Sequence, residues 1–265
     1  MALQDGVEAK TQDTKTSKLS LPIGQPGRLR NETTMTLQTR QAKKFIEGRR
    51  RAEGSEPIVG LMEFGHLLKK IWLSAELDDP YADWFLLQIE QALQQAKQLI
   101  AEKTQWLQAI MQDMKGFNIA VAESSQPVEV ALYFQNPYGY IGAYIIHDYD
   151  ALVQTVYTAR HIGLLDRAGA DSLLQEAGKA IRSAFNKAAT WRFTGVARGD
   201  LSANTPNAQR AFDSYGECPA AVVLKEQRAR LAPVIKPRPT EDKPMGVVVL
   251  DETAVHDAPL VSALV

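Results

Sequence analysis

From residue 29 the chain alternates in character. Thr33, Met35 and Leu37 fall on one side of an extended segment Leu29–Gln38, and Glu32, Thr34, Thr36 and Gln38 fall on the other. That alternation predicts a strand with one apolar and one polar face. The period then becomes helical: Ala42, Phe45 and Ile46 share one side, and Gly54 breaks the run. Ser55-Glu56-Pro57 reads as a cap, a first-turn carboxylate and a proline at the start of a second helix. That helix carries Ile58, Leu61, Met62, Leu68, Ile71 and Trp72 on one face. Asp79-Pro80 opens a third, running to about Lys115, with an apolar stripe from Trp84 through Leu87, Leu93, Ile100, Leu107, Ile110 and Met111 to Met114. A helix of that length is expected to pack against several elements or a partner chain.

Strand signals return in Val128–Phe134 and Tyr140–His147, separated by Asn136-Pro137-Tyr138-Gly139, and together they predict a β-hairpin. Helices follow over about 150–162 and 166–191; the second carries Leu173, Leu174, Ala177, Ile181 and Phe185 as a stripe. Residues 1–27 lack periodicity and are expected to be a disordered tail. Residues 236–265 are expected to be a flexible one, since Pro233, Pro237, Pro239 and Pro244 preclude a long helix. The expected fold is α+β and mostly helical. A ribbon-helix-helix-like unit (28–78) leads through the long helix into a hairpin-and-helix part (79–235).

Composition narrows the function only by exclusion. Hydrophobic residues make up 45% and charged ones 23%, an ordinary globular mix. The net charge of −1 provides no overall field, so any polyanion contact must come from a local patch. Cys218 is a single cysteine, which rules out an internal disulfide. The polar N-terminus and the absence of a long apolar run lead to the expectation of a cytoplasmic protein.

Segment 28–57 carries the most chemistry. Strand, helix, turn and helix in that order make up a ribbon-helix-helix module. In such a module two protomers pair their strands antiparallel, and the resulting ribbon enters the major groove. The outward face needs small or polar hydrogen-bonding side chains, which makes Thr34, Thr36 and Gln38 the candidate base readers. Within residues 28–51, Arg28, Arg30, Arg40, Lys43, Lys44, Arg49, Arg50 and Arg51 are opposed only by Glu32 and Glu47, an excess of about six positive charges. Arg30, Arg40, Lys43, Lys44, Arg49, Arg50 and Arg51 are therefore candidate phosphate contacts, joined by Ser55 at the expected helix start. The same pattern also suits a basic helix on an ordinary surface beside a strand that pairs within its own chain.

Other constellations are weaker. His66, His147, His161 and His256 are scattered, without metal-ligand spacing. Asp78, Asp79 and Asp83 form an acidic cluster that helix capping explains. Gly139 and Gly142 lack the surroundings of a phosphate loop. Tyr133, Tyr138, Tyr140 and Tyr144 read as half-buried hairpin tyrosines rather than a stacking surface. No nucleophile-base set stands out, and neither a metal nor a cofactor is expected.

Four blocks carry a resemblance. Residues 28–42 (RLRNETTMTLQTRQA), 78–84 (DDPYADW), 136–140 (NPYGY) and Trp191–Asp200 resemble a family carried by integrating conjugative elements, one that includes the AcaB-type transcriptional regulators of conjugative plasmids. The resemblance covers about residues 22–235. It implies a sequence-specific DNA-binding regulator with a ribbon-helix-helix module, an activator of conjugative transfer genes. The expected partners are double-stranded DNA, a second copy of the chain and RNA polymerase. The competing reading is a non-enzymatic accessory protein of the conjugation or element-processing machinery.

Overall fold

A computed structural model describes residues 32–49 and 57–236. The expectations for both tails, for 29–31 of the strand, and for Arg30, Arg50, Arg51, Ser55 and His256 lie outside these residues. The chain divides into the unit 1–32 and the unit 33–265, and the second holds every element described below.

The predicted strand is β1 (Thr33–Leu37), followed by helices α1 (Arg40–Glu47), α2 (Leu61–Glu76) and α3 (Pro80–Gln112). Then come β2 (Val128–Leu132), α4 (Pro137–His161) and α5 (Arg167–Thr190). Three short helices complete the described residues: α6 (Arg198–Ala203), α7 (Pro206–Tyr215) and α8 (Ala220–Val223). The fold is thus mostly helical, with one two-stranded antiparallel sheet among the described residues.

Helices α2 to α5 form the body. Their buried faces meet in one apolar core, where Phe64 of α2 stacks on Phe185 of α5 with centroids 4.3 Å apart. Helix α3 touches α2, α4, α5 and α8, which accounts for its length. It starts where Asp79 accepts hydrogen bonds from the Tyr81 and Ala82 amides (2.9 and 3.1 Å), with Pro80 at the first helical position. A second cluster gathers Tyr81, Val196, Ala208, Ala211, Cys218 and Val222 under the short helices.

Three expectations are corrected. The hairpin does not form, because Tyr140–His147 lies inside α4. Asn136-Pro137-Tyr138-Gly139 caps that helix instead: the Asn136 side chain accepts from the Gly139 amide at 3.1 Å and Pro137 takes the first helical position. Tyr138, Ile145, Ile146, Tyr149 and Val153 then bury at helical spacing. Second, β1 has a partner strand within its own chain, β2, which the ribbon-helix-helix expectation lacked, in the register Thr33↔Leu132, Met35↔Val130 and Leu37↔Val128. Third, the second helix starts at Leu61, with Gly60 as its cap residue, not at Pro57. Arg49 and Ile58 exchange both backbone hydrogen bonds at 2.8 Å, which keeps Ile58 extended. Gly48 stands at φ +66°, and a Cβ there would lie 2.5 Å from the Gly60 nitrogen, so only glycine fits this crossing.

Candidate nucleic-acid interface

The two-faced character of β1 is carried into the fold. Met35 and Leu37 are buried against the core, while Thr34 and Thr36 are exposed. Cross-strand neighbours share a face, so Ala131 lies beside Thr34 and Glu129 beside Thr36 on the outer side of the ribbon. Both neighbours are exposed. Gln38, just past the strand, is half-buried, and its Oε1 accepts from the Ser124 amide at 3.0 Å. The side-chain Nε2 is the end left to donate.

Helix α1 buries Ala42, Phe45 and Ile46. Arg40, Lys43, Lys44 and Glu47 then share its opposite face by helical spacing, and all four are exposed. Lys43 pairs with Glu47 at 3.3 Å in an exposed i,i+4 contact, which adds little to stability. Arg49 is exposed at the backbone bridge to Ile58. Among the described residues, then, Thr34, Thr36 and Gln38 are brought into one short stretch with Arg40, Lys43, Lys44 and Arg49.

The corner between β1 and α1 is held by Asp150 of α4, whose side chain is almost fully buried. Its Oδ2 accepts from the Gln38 amide at 2.6 Å. Its Oδ1 accepts from the Thr39 amide at 2.9 Å and the Thr39 hydroxyl at 2.5 Å. Thr39 is also the cap of α1, accepting from the Ala42 amide at 3.3 Å. A charged acceptor with three donors rigidly ties the polar strand and the cationic helix to the helical body. Asp150 has a sequence signal: it is a carboxylate at helical spacing among Ile146, Tyr149 and Val153, and a buried carboxylate demands partners.

The acidic cluster at the start of α3 serves the fold. Asp83 is fully buried and accepts from Arg228 (2.7 and 2.9 Å) and from Arg198 (2.6 Å). Arg198 also donates to Asp78 at 2.7 Å and to the Val222 and Val223 carbonyls. The blocks 78–84 and 191–200 therefore converge in one ion-pair network pinning the C-terminal segments to α3. His66, His147 and His161 are exposed, and no group of three metal-ligating side chains occurs among the described residues. The Cys218 thiol is pushed up to about 12, mainly by burial, against the opposing pull of Arg198. A thiol held protonated is a poor nucleophile. Tyr138 and Tyr149 are likewise raised by burial, Tyr149 to about 12. Tyr138 lies inside the core rather than on a hairpin, donating to Glu90 at 3.1 Å. No helix among the described residues is long and apolar enough to cross a membrane.

Comparison with known proteins adds two findings. The family model described as transcriptional regulator AcaB matches residues 25–236. A crystal structure of selenomethionine-containing AcaB from uropathogenic E. coli is similar in fold, with a TM-score of 0.52 at 12% identity, covering 74% of this chain and 95% of that one. No curated protein matches the chain.

Proposed function

Since the chain belongs to the AcaB family of transcriptional regulators, we propose that it regulates by binding double-stranded DNA through the outer face of β1 and the cationic face of α1. The observation that carries this reading is the pairing of the exposed, hydrogen-bonding Thr34 and Thr36 on the strand with the exposed stripe of Arg40, Lys43 and Lys44 that follows it. The major groove, about 12 Å wide, admits a two-stranded ribbon. Thr34 and Thr36 then read base edges or thymine methyls, and Gln38 donates through Nε2. Arg40, Lys43, Lys44 and Arg49 take phosphates, with Arg30, Arg50, Arg51 and Ser55 from the flanking segments. Such contacts position the protein without reading sequence.

The β1–β2 ladder uses one edge of β1. A homodimer joined along the other edge sets two β1 strands side by side, about 4.8 Å apart, as the central pair of the ribbon. In this reading the protein is a cytoplasmic activator of conjugative transfer genes that works with RNA polymerase, as the sequence blocks suggest.

The test is to sequence DNA recovered with the protein from cells, then to measure binding of the recovered site and of a scrambled duplex. Thr34→Ala and Thr36→Ala should each reduce discrimination at particular base pairs by about 1–3 kcal/mol and leave scrambled DNA unaffected. If neither variant changes discrimination, the ribbon is not the reading element. If no DNA is recovered or bound, the accessory-protein reading takes its place.

A further inference from the structure

A cleft of about 550 Å³ opens between α1, α4 and α5, a size suited to a small organic ligand. Its wall is aromatic and basic: the half-buried Tyr157 supplies ring surface beside the buried Phe45 and Tyr149, and Lys44, Arg49 and Arg182 supply charge. Phe45 and Tyr149 meet edge to face with centroids 5.1 Å apart. The half-buried guanidinium of Arg182 lies 5.9 Å from the Phe45 ring centroid and makes no ion pair among the described residues. Asp171 is the one carboxylate on the wall among the described residues, and it faces Arg167 at 3.7 Å in an exposed pair. A half-buried cation without a carboxylate, set beside flat rings in a cleft, is an arrangement that an anion completes.

We propose that this cleft is an effector site for a small anion carrying a flat ring, an aromatic carboxylate or a nucleoside phosphate. The ring lies against Tyr157, and the anionic group is held by Arg182 with help from Lys44 and Arg49. The Tyr149 hydroxyl, buried and protonated, faces the Leu174 carbonyl at 3.4 Å and is in place to turn to the ligand. Lys44 and Arg49 belong equally to the phosphate contacts proposed above. The regulatory half of the inference, which rests on that DNA reading, is therefore that an occupied cleft binds DNA less tightly.

Calorimetric titration of the full chain without DNA tests the site. The probes are salicylate and guanosine 5′-monophosphate, each set against its uncharged counterpart, salicyl alcohol and guanosine. At least one anion should saturate a single site, with its neutral counterpart about tenfold weaker or worse. Arg182→Gln should weaken that anion by about tenfold or more. So should Gln175→Glu, which adds a negative charge at an exposed position on the rim and leaves the core untouched. Salicylate binding alone assigns an aromatic carboxylate, and the nucleotide alone a phosphorylated nucleoside. Failure of both anions to bind below about 1 mM, or binding indifferent to both substitutions, overturns the site. Repeating the titration on the protein–DNA complex tests the coupling, and unchanged DNA affinity overturns it. A chain that binds the anion but no DNA overturns the DNA reading and leaves the site standing.

Discussion

Removing the Asp150 carboxylate should loosen the whole candidate interface from within. Asp150→Ala leaves the Gln38 and Thr39 amides and the Thr39 hydroxyl without their acceptor in a half-buried corner. An orphaned donor costs up to about 1–3 kcal/mol when buried, and toward the lower end when half-buried. The hydroxyl can turn elsewhere, so the two amides dominate and the loss comes to about 2–4 kcal/mol. The α1 cap suffers as well, because the hydroxyl that caps Ala42 is the one Asp150 orients. Urea unfolding followed by circular dichroism reads the change as a lower midpoint at constant slope. DNA affinity measured below that midpoint should also fall, although Asp150 is buried and touches no DNA. Thr39→Val combined with Asp150→Ala closes a double-mutant cycle, which should show clear coupling between the two. A stability within about 0.5 kcal/mol of the parent would refute the clamp, since that is the range of an unremarkable surface site.

Two further outcomes follow from burial. Met35→Ala and Leu37→Ala should each cost about 2–5 kcal/mol through poorer packing, whereas the exposed Thr34→Ala and Thr36→Ala should stay within about 0.5 kcal/mol in the same melts; the reverse pattern would mean the strand faces are exchanged. Asp83→Asn should cost about 3–5 kcal/mol, because it leaves Arg198 and Arg228 without their shared buried carboxylate, and thermal unfolding within a degree of the parent would contradict a structural role for that network.

What was legible in the sequence was local. The alternation of Met35 and Leu37 with Thr34 and Thr36 gives the strand and its faces, because a period of two leaves no other arrangement with one buried side. Asp79-Pro80 and Asp166 mark helix starts that the structure keeps. The failures share a cause. Asn-Pro-Tyr-Gly has the chemistry of a turn and equally that of a helix cap, and only the buried helical spacing of Tyr138, Ile145 and Tyr149 decides between them. The pairing of β1 with β2 joins segments about ninety residues apart and leaves no local trace. Ser55-Glu56-Pro57 resembles a helix start, but the bridge between Arg49 and Ile58 delays the helix to Leu61. At the candidate site the exposed face of β1 and the α1 cations were readable. Glu129 and Ala131 on the adjoining strand were not, since only the register brings them there. The position of Arg182 over the Phe45 ring was equally hidden, because it depends on side chains of α1 and α5 meeting.

A DNA-phosphate-binding surface made by Arg40, Lys43 and Lys44 would show itself in the salt dependence of binding. The logarithm of the association constant for one duplex should fall linearly with the logarithm of salt concentration. Replacing Arg40, Lys43 and Lys44 together by alanine should flatten that slope by about 0.9 for each phosphate the protein no longer neutralises, while the fold remains intact. An unchanged slope in the triple variant, or no salt dependence in the parent, would mean that these three cations hold no phosphates.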